Sequence, residues 1–218
     1  MNFLIRIPLN AAPEQQARLR DLQVVFARAC NELAPHVQQS RVWNRVALHH
    51  LHYRALREKF PELGSQMICN AIYSVSKMAR LVYQHPDSPF NPASRPGVAL
   101  PLLRFADSCP VYFDRHTLSL RQGKLSMFTL DGRMRFELSL TSEQLALFEQ
   151  SKLREIVLDQ RADGVYQLSF FLASQDALQS DAGAATEVEA DVEPDAERPA
   201  LPPATTVIPE YVSVEVPR

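Results

Sequence analysis

The spacing of apolar residues changes at a proline-rich segment near the middle of this chain. Before it, in residues 11–85, apolar side chains recur every three or four positions, which is the spacing of amphipathic helices. Five prolines then fall between residues 86 and 101, and beyond them short apolar runs follow the two-residue period of strands. Because helical and strand patterns are segregated along the chain, the sequence predicts an α+β fold.

The first part of the chain is predicted to contain one strand and three helices. The apolar run at residues 2–9 indicates a strand, and helices are expected at about residues 11–35, 37–60 and 65–85. Pro35 is expected to end or bend the first helix, because proline removes a helix hydrogen bond and its ring clashes with the preceding turn. The third helix contains no glycine or proline, which favours an uninterrupted element.

The second part is predicted to be a set of short strands joined by hairpin turns. The strands are expected at residues 102–105, 111–113, 117–120, 124–128, 133–138, 156–159 and 166–172. Turn sequences fall between them at 121–124, 131–132 and 162–164. The Thr-Ser-Glu-Gln sequence at 141–144 is typical of a helix N-terminus, so a short helix is expected to about residue 150.

The net charge of −2 combines a basic body with an acidic tail. Residues 1–175 carry 21 lysines and arginines against 15 acids, whereas residues 176–218 carry 2 against 10. A basic body permits contact with nucleic-acid phosphates. The tail between residues 181 and 204 lacks an apolar period and is expected to be disordered, and residues 1–175 are expected to fold without it. Alternation returns at residues 207–216, which could add as a strand to a sheet edge of this chain or of a partner.

The sequence favours a cytoplasmic protein with neither a membrane span nor a cofactor. It has no run of about 18 apolar residues and no evident signal peptide. Cys30, Cys69 and Cys109 are odd in number and far apart, so they fit neither a disulfide framework nor a zinc knuckle. They are expected to be buried free thiols.

The candidate functional residues are mostly basic. They are Arg41, Arg45, Arg54, Arg57 and Lys59 on the second predicted helix, Lys77 on the third, and Arg121, Lys124, Arg133 and Arg135 on the predicted hairpins. These side chains could contact phosphates, or they could simply solvate the surface. Gln66 and Asn70 lie one helical turn apart and could read base edges, since amides pair bidentately with adenine; the alternative is an ordinary exposed polar pair.

Two further patterns point more weakly to a site. His49 and His52 are three residues apart and could share a metal ion, but no other ligand is spaced to complete the set, so no metal site is predicted. Trp43 and Tyr53 could stack on bases, although core packing is the expected role. No spacing typical of a nucleophile with its base is present, and no catalytic residue is predicted.

Several short motifs, taken in order, resemble a known family. They are Arg6-Ile7-Pro8, Glu14-Gln15, the helix at 52–57, the helix start at 63–66, the strand at 118–120 leading into the turn at 131–133, and the strand at 164–168. In this order they resemble the N-terminal half of the TnpB transposon-encoded RNA-guided nucleases and their relatives, the type V CRISPR effectors. The resemblance covers roughly residues 3–173.

This resemblance implies a particular architecture. The first strand (1–10) and residues 91–175 would form a small, wedge-like β-barrel of the oligonucleotide-binding type. Residues 11–90 would be a helical recognition insertion, followed by the acidic tail at 176–218.

The same resemblance implies binding of guide RNA, target DNA or both. The family's RuvC-like nuclease half supplies separated carboxylates for metal-assisted cleavage, whereas here the matching stretch, 212–216, offers only Glu215. A non-catalytic subunit or remnant is therefore expected, with a separate nuclease or effector chain as a partner. The alternatives are a protein-interaction adaptor, or half of a split RNA-guided nuclease whose catalytic half is another chain.

Overall fold

The computed structural model describes residues 2–174 and 208–216. Four helices occupy Pro13–Ser40 (α1), Arg45–Lys59 (α2), Ser65–Gln84 (α3) and Ser142–Gln150 (α4). The strands are β1 Asn2–Pro8, β2 Leu102–Phe105, β3 Val111–Phe113, β4 Leu118–Arg121, β5 Lys124–Thr129, β6 Gly132–Glu137, β7 Ser151–Gln160, β8 Tyr166–Ser174 and β9 Val212–Glu215. The α+β prediction is confirmed, and so is the order of strand, helices and further strands.

Pro35 does not end the first helix, because α1 continues through the proline to Ser40. A proline inside a helix costs about 3 kcal/mol. On either side of it Leu33 and Val37 are fully buried, and burying two such side chains contributes roughly 3–6 kcal/mol. Packing of the helix against the core therefore outweighs the local cost.

The second helix begins later than predicted, at Arg45 rather than at residue 37. Arg41 has a φ of 54°, a left-handed conformation that ends α1. Asn44 then starts α2, since its side-chain oxygen accepts a hydrogen bond from the backbone N–H of Ala47 at 3.0 Å. Because this stop uses arginine instead of glycine, the usual sequence signal for a helix end is absent.

The strands of the described residues form three separate antiparallel sheets. The largest has the order β1-β8-β7-β3, the second pairs β2 with β9, and the third has the order β4-β5-β6. No closed barrel is formed by the strands in residues 2–174 and 208–216, so the barrel prediction is not confirmed at that level. The first strand does join the later strands, since Ile5 pairs with Phe170 across β1 and β8.

Helix α1 fastens the chain that follows the proline-rich segment. The Asn31 side chain both donates to and accepts from the backbone of Phe105, each at 2.8 Å. About two turns further along the same face of α1, Gln38 donates to the carbonyl of Leu100 at 2.8 Å. These amides pair with partly buried backbone groups just before β2 and at its end.

The C-terminal alternating segment adds to a sheet of this chain. Strand β9 pairs antiparallel with β2, with Val212 opposite Phe105 and Glu215 opposite Leu102. Val212 is buried, and the Arg104 side chain lies 3.1 Å from a Glu215 carboxylate oxygen. Of the two alternatives for this segment, pairing within the chain is the one observed. The tail expected to be disordered, 181–204, lies outside the described residues.

Candidate nucleic-acid interface

The outer face of the β4-β5-β6 sheet gathers four of the predicted basic residues. Strand register alternates side chains between the two faces. Leu125 and Met127 point inward with their partners Phe136 and Met134 and are buried. The intervening positions face outward and are exposed: Arg121, Lys124, Arg133 and Arg135. We call these four residues the basic sheet face.

An aromatic ring belongs to the same face. Phe128 pairs with Arg133 across β5 and β6 and remains 39% exposed. The guanidinium of Arg133 lies over this ring, 4.1 Å from its centroid. Arg133 also donates to the Ser126 hydroxyl at 3.2 Å and to the His116 carbonyl at 3.2 Å. These contacts fix Arg133 and leave an aromatic surface next to a cation.

A tight turn holds the two cations at the start of this face together. Gln122 and Gly123 both have positive φ, at 50° and 77°, which is the backbone of a type I′ hairpin turn. Arg121 and Lys124 therefore lie opposite each other as a strand pair. The carbonyl of Gly123 accepts from the N–H of Leu138 at 2.7 Å, which anchors the turn to the end of β6.

Few carboxylates offset the charge of the basic sheet face. Glu137 pairs with Lys124 on the outer side. Asp131, in the β5–β6 turn, accepts a hydrogen bond from the Arg18 guanidinium of α1 at 2.6 Å, and this hydrogen bond lowers the pKa of the Asp131 carboxyl. The face thus keeps an excess of positive charge.

A cleft of about 590 Å³ opens beside Phe128. Its walls come from α1, the α2–α3 loop, the first turn of α3, the β3–β4 loop, and β5 with its turn. The polar side chains that line it include Glu62, Gln66 and His116, and no lysine or arginine is among the lining residues.

The basic residues of α2 do not form a comparable face. Arg45 and Arg54 are nine residues apart, about two and a half turns, so they lie on opposite sides of the helix. Arg54 is exposed and pairs with Glu58 at 3.3 Å, whereas the Arg45 guanidinium lies 5.4 Å from the Tyr73 ring centroid. Arg45 and Arg54 therefore do not share one face of α2, and phosphate contact by these residues stays a prediction.

The remaining basic positions near α2 are also divided. Arg57 donates to the carbonyl of Leu63, in the loop before α3. Lys59 pairs with Glu32 of α1 at 2.6 Å, and Arg41 is exposed at the end of α1. Two of these three side chains therefore tie elements together.

The predicted base-reading pair on α3 is separated by burial. Asn70 is only 5% exposed, and its side chain donates to the carbonyl of Tyr112 at 3.0 Å, so it is a core amide placed neither to read a base nor to form an exposed polar pair. Gln66 is half-buried and donates to the Asp114 carboxylate. Gln66 lines the cavity beside Phe128.

Lys77 pairs with a buried carboxylate and does not belong to the basic sheet face. Its ammonium is 2.9 Å and 3.1 Å from the two carboxylate oxygens of Glu155, which is buried. The Tyr73 hydroxyl donates to the same carboxylate at 2.6 Å, and the Tyr112 ring centroid is 4.9 Å from the ammonium. The prediction of a nucleic-acid contact for Lys77 is therefore not supported, because its charge is neutralised inside the protein.

The histidines of α2 pack on neighbouring rings. His49 stacks on Tyr53 with ring centroids 4.7 Å apart, and His52 lies 4.8 Å from His36. Burial lowers the pKa of both His49 and His52. Within residues 2–174 and 208–216, no group of three His, Cys, Asp or Glu side chains is placed to hold a metal ion. Trp43 packs against the Tyr83 ring, as expected for a core residue.

Two residues of the candidate interface escaped the sequence analysis. Phe128 was interpreted only as a strand residue, although its pairing with Arg133 follows from the Asp131-Gly132 turn once the hairpin register is counted. Arg18 sits on α1, far away in sequence, and nothing in the pattern links it to the sheet.

No helix in the described part of the chain has the length and apolar character needed to cross a membrane. No protein-family model matches the sequence, and no curated protein matches it.

Proposed function

We propose that this protein binds nucleic acid through the basic sheet face. The observation that carries the proposal is the convergence of four exposed cations and an exposed aromatic ring on one side of the β4-β5-β6 sheet. Cations neutralise phosphates, and aromatic rings stack on bases, so both are used together by proteins that bind single strands.

The proposed ligand is a guide RNA, a target DNA or both, as the resemblance to the TnpB family implies. The order of one strand, three helices and further strands supports this relation, as does the pairing of β1 with β8. On this proposal the chain has the wedge and recognition parts, cleaves no phosphodiester itself, and works with a separate nuclease chain in the cytoplasm. The β1-β8-β7-β3 sheet would be the wedge scaffold.

The test compares two variants that remove equal charge. In the first, the four residues of the basic sheet face are changed to glutamine. In the second, four exposed arginines elsewhere are changed to glutamine: Arg41, Arg54, Arg95 and Arg104. Binding of a labelled single-stranded RNA is measured by anisotropy at several salt concentrations.

The sheet-face variant should bind more weakly and with a smaller salt dependence. Each lost phosphate contact lowers the slope of log binding constant against log salt concentration by about 0.7, so the loss of four contacts lowers it by roughly 3. The control variant should change the slope much less. Equal effects would mean that only net charge matters, and the proposed interface would be wrong.

The adaptor alternative predicts no binding of RNA or DNA by the wild-type protein at low salt. Strand β9, the segment considered for docking on a partner, already pairs with β2 in this chain. An adaptor would therefore need another surface. Adding magnesium and labelled DNA to the same mixtures tests the non-catalytic proposal, since cleavage abolished by changing an acid of this chain would refute it.

A further inference from the structure

We propose that the cleft beside Phe128 receives one unstacked nucleobase of a single strand whose backbone lies on the basic sheet face. This inference rests on the proposed function and adds the part of the ligand that enters the protein. It concerns a site that none of the sequence motifs identified as a cavity.

The size and position of the cleft fit this ligand. Its volume of about 590 Å³ lies within the range of roughly 300–1,000 Å³ typical of small-molecule sites. Phe128 belongs to both surfaces, because its side chain lies on the outer side of the sheet and the residue is among those that line the cleft. A strand following the cations would thus pass the cleft entrance.

The charges favour a base over a phosphate inside the cleft. Four cations lie on the basic sheet face, whereas the residues lining the cleft include no lysine or arginine. Glu62 contributes a carboxylate to the lining, which repels a phosphate. The phosphates would therefore stay on the face, where Arg133 is fixed over the Phe128 ring, and the neutral base would turn inward.

The polar groups of the cleft suit the edge of an amino-bearing base. Gln66 donates its N–H to Asp114, which leaves the side-chain oxygen as an acceptor. Such an oxygen can accept from the exocyclic amino group of adenine or cytosine, but thymine and uracil offer a carbonyl at that place. A preference for adenine over thymine follows.

Duplex nucleic acid would first have to unstack and unpair a base to use this cleft, which weakens its binding. Single-stranded loops and ends present bases that can turn outward and stack on aromatic rings. The cleft therefore predicts tighter binding of single strands than of duplexes of the same length.

The experiment measures anisotropy with three labelled twelve-residue ligands at one salt concentration: oligodeoxyadenylate, oligothymidylate and an abasic oligomer with the same backbone. Wild-type protein should bind the adenylate about tenfold more tightly than the abasic oligomer, the order expected for one stacked base.

Phe128→Leu should remove most of that difference, and Phe128→Tyr should retain it. The control Leu51→Ala, a change at an exposed apolar residue of α2, should leave the difference unchanged. Gln66→Leu should reduce the preference for adenylate over thymidylate while leaving the salt slope unchanged.

The outcomes separate this inference from the proposed function. If no ligand binds at low salt, both fail. If adenylate and abasic oligomers bind equally in a manner that depends on the basic sheet face, the proposed function stands and the cleft inference is wrong. Equal affinity for single strand and duplex, or an unchanged base preference in Gln66→Leu, would also overturn it.

Discussion

Replacing Lys77 should destabilise the protein without weakening its binding to nucleic acid. The Lys77 side chain is 20% exposed and that of Glu155 is 8% exposed, so the pair is largely shielded from water. Lys77→Met keeps the apolar stem and removes the ammonium. Glu155 would then remain as a buried carboxylate whose charge is no longer compensated by this lysine.

The size of the stability loss expected for Lys77→Met follows from the burial of this ion pair. Removing one partner of a buried ion pair costs about 3–5 kcal/mol, and the partial exposure of Lys77 places this pair near the lower end. A loss of about 3 kcal/mol lowers the melting temperature of a chain of this size by roughly 6–12 °C. Glu155→Gln should lower the free energy of unfolding less than Lys77→Met does. Its amide oxygen can still accept a hydrogen bond from the Tyr73 hydroxyl, and the ammonium of Lys77 can reach water. The double variant should cost less than the sum of the two.

The assay is urea unfolding of the two single variants, the double variant and a matched control. Arg54→Met is the control, since Arg54 and Glu58 form an exposed pair with side chains 93% and 71% exposed. Such a pair contributes about 0.3–0.5 kcal/mol. If Lys77→Met costs no more than Arg54→Met and instead flattens the salt dependence of RNA binding, then Lys77 contacts phosphate and the reasoning from burial is refuted.

Three other measurements test the described packing. Iodoacetamide at pH 8 should label the native protein slowly and mainly at Cys69, because burial raises the pKa of the Cys30 and Cys109 thiols, that of Cys109 to about 12. The unfolded protein should be labelled at all three cysteines. Rapid labelling of Cys30 in the native protein would contradict its assignment to the core. Gly123→Ala should destabilise by about 1–3 kcal/mol in thermal unfolding, since its φ is 77° and a Cβ would lie 2.9 Å from a backbone oxygen, and an unchanged melting temperature would show that the turn is not as described. A chain ending at residue 207 should lose about 1.5–3 kcal/mol from the burial of Val212 alone, and equal stability of the two chains would show that β9 contributes nothing.

The elements most accurately predicted were those with a strong local pattern. Helix α3 was expected at 65–85 and occupies Ser65–Gln84, since no glycine, proline or polar break interrupts its apolar stripe. The β5–β6 hairpin was expected from Asp131-Gly132 and is formed with Gly132 at a φ of 110°. In both cases the local signal and the tertiary packing favour the same structure.

The elements that were wrong depend on contacts distant in sequence. The continuation of α1 through Pro35 is decided by burial against the core, which no local rule records. The closed barrel was implied by resemblance, whereas the observed strands pair in three sheets. That residues 1–175 fold without the tail stays a prediction; what the structure adds is that β9 pairs with β2 and buries Val212.

The candidate site was predicted only in part, because side chains repeat with a different period in helices and in strands. Counting charges along α2 suggested a basic surface, but residues nine apart in a helix point to opposite sides. In the hairpins the period is two, so Arg133 and Arg135 necessarily share a face, and the turn brings them beside Lys124. The depth of Asn70 could not be anticipated, because a broad apolar stripe leaves the position of a polar residue at its margin undecided.

The polar side chains of the helices and those of the β4-β5-β6 sheet make different contacts, which explains why the proposed recognition surface would lie on the sheet. On the helices, polar side chains largely serve the fold: Asn31 holds β2, Asn70 holds β3, and Lys77 compensates the buried carboxylate of β7. Replacing any of them disturbs the core, so they are poorly suited to contact a ligand. The outward cations of β4, β5 and β6 contribute less to the fold, because their inward neighbours already bury that sheet's apolar side; Arg133, which donates to the Ser126 hydroxyl and to the His116 carbonyl, is the exception. Arg121, Lys124 and Arg135 can therefore be changed at little cost in stability, which makes the basic sheet face the part of the chain where a loss of binding can be separated from a loss of folding.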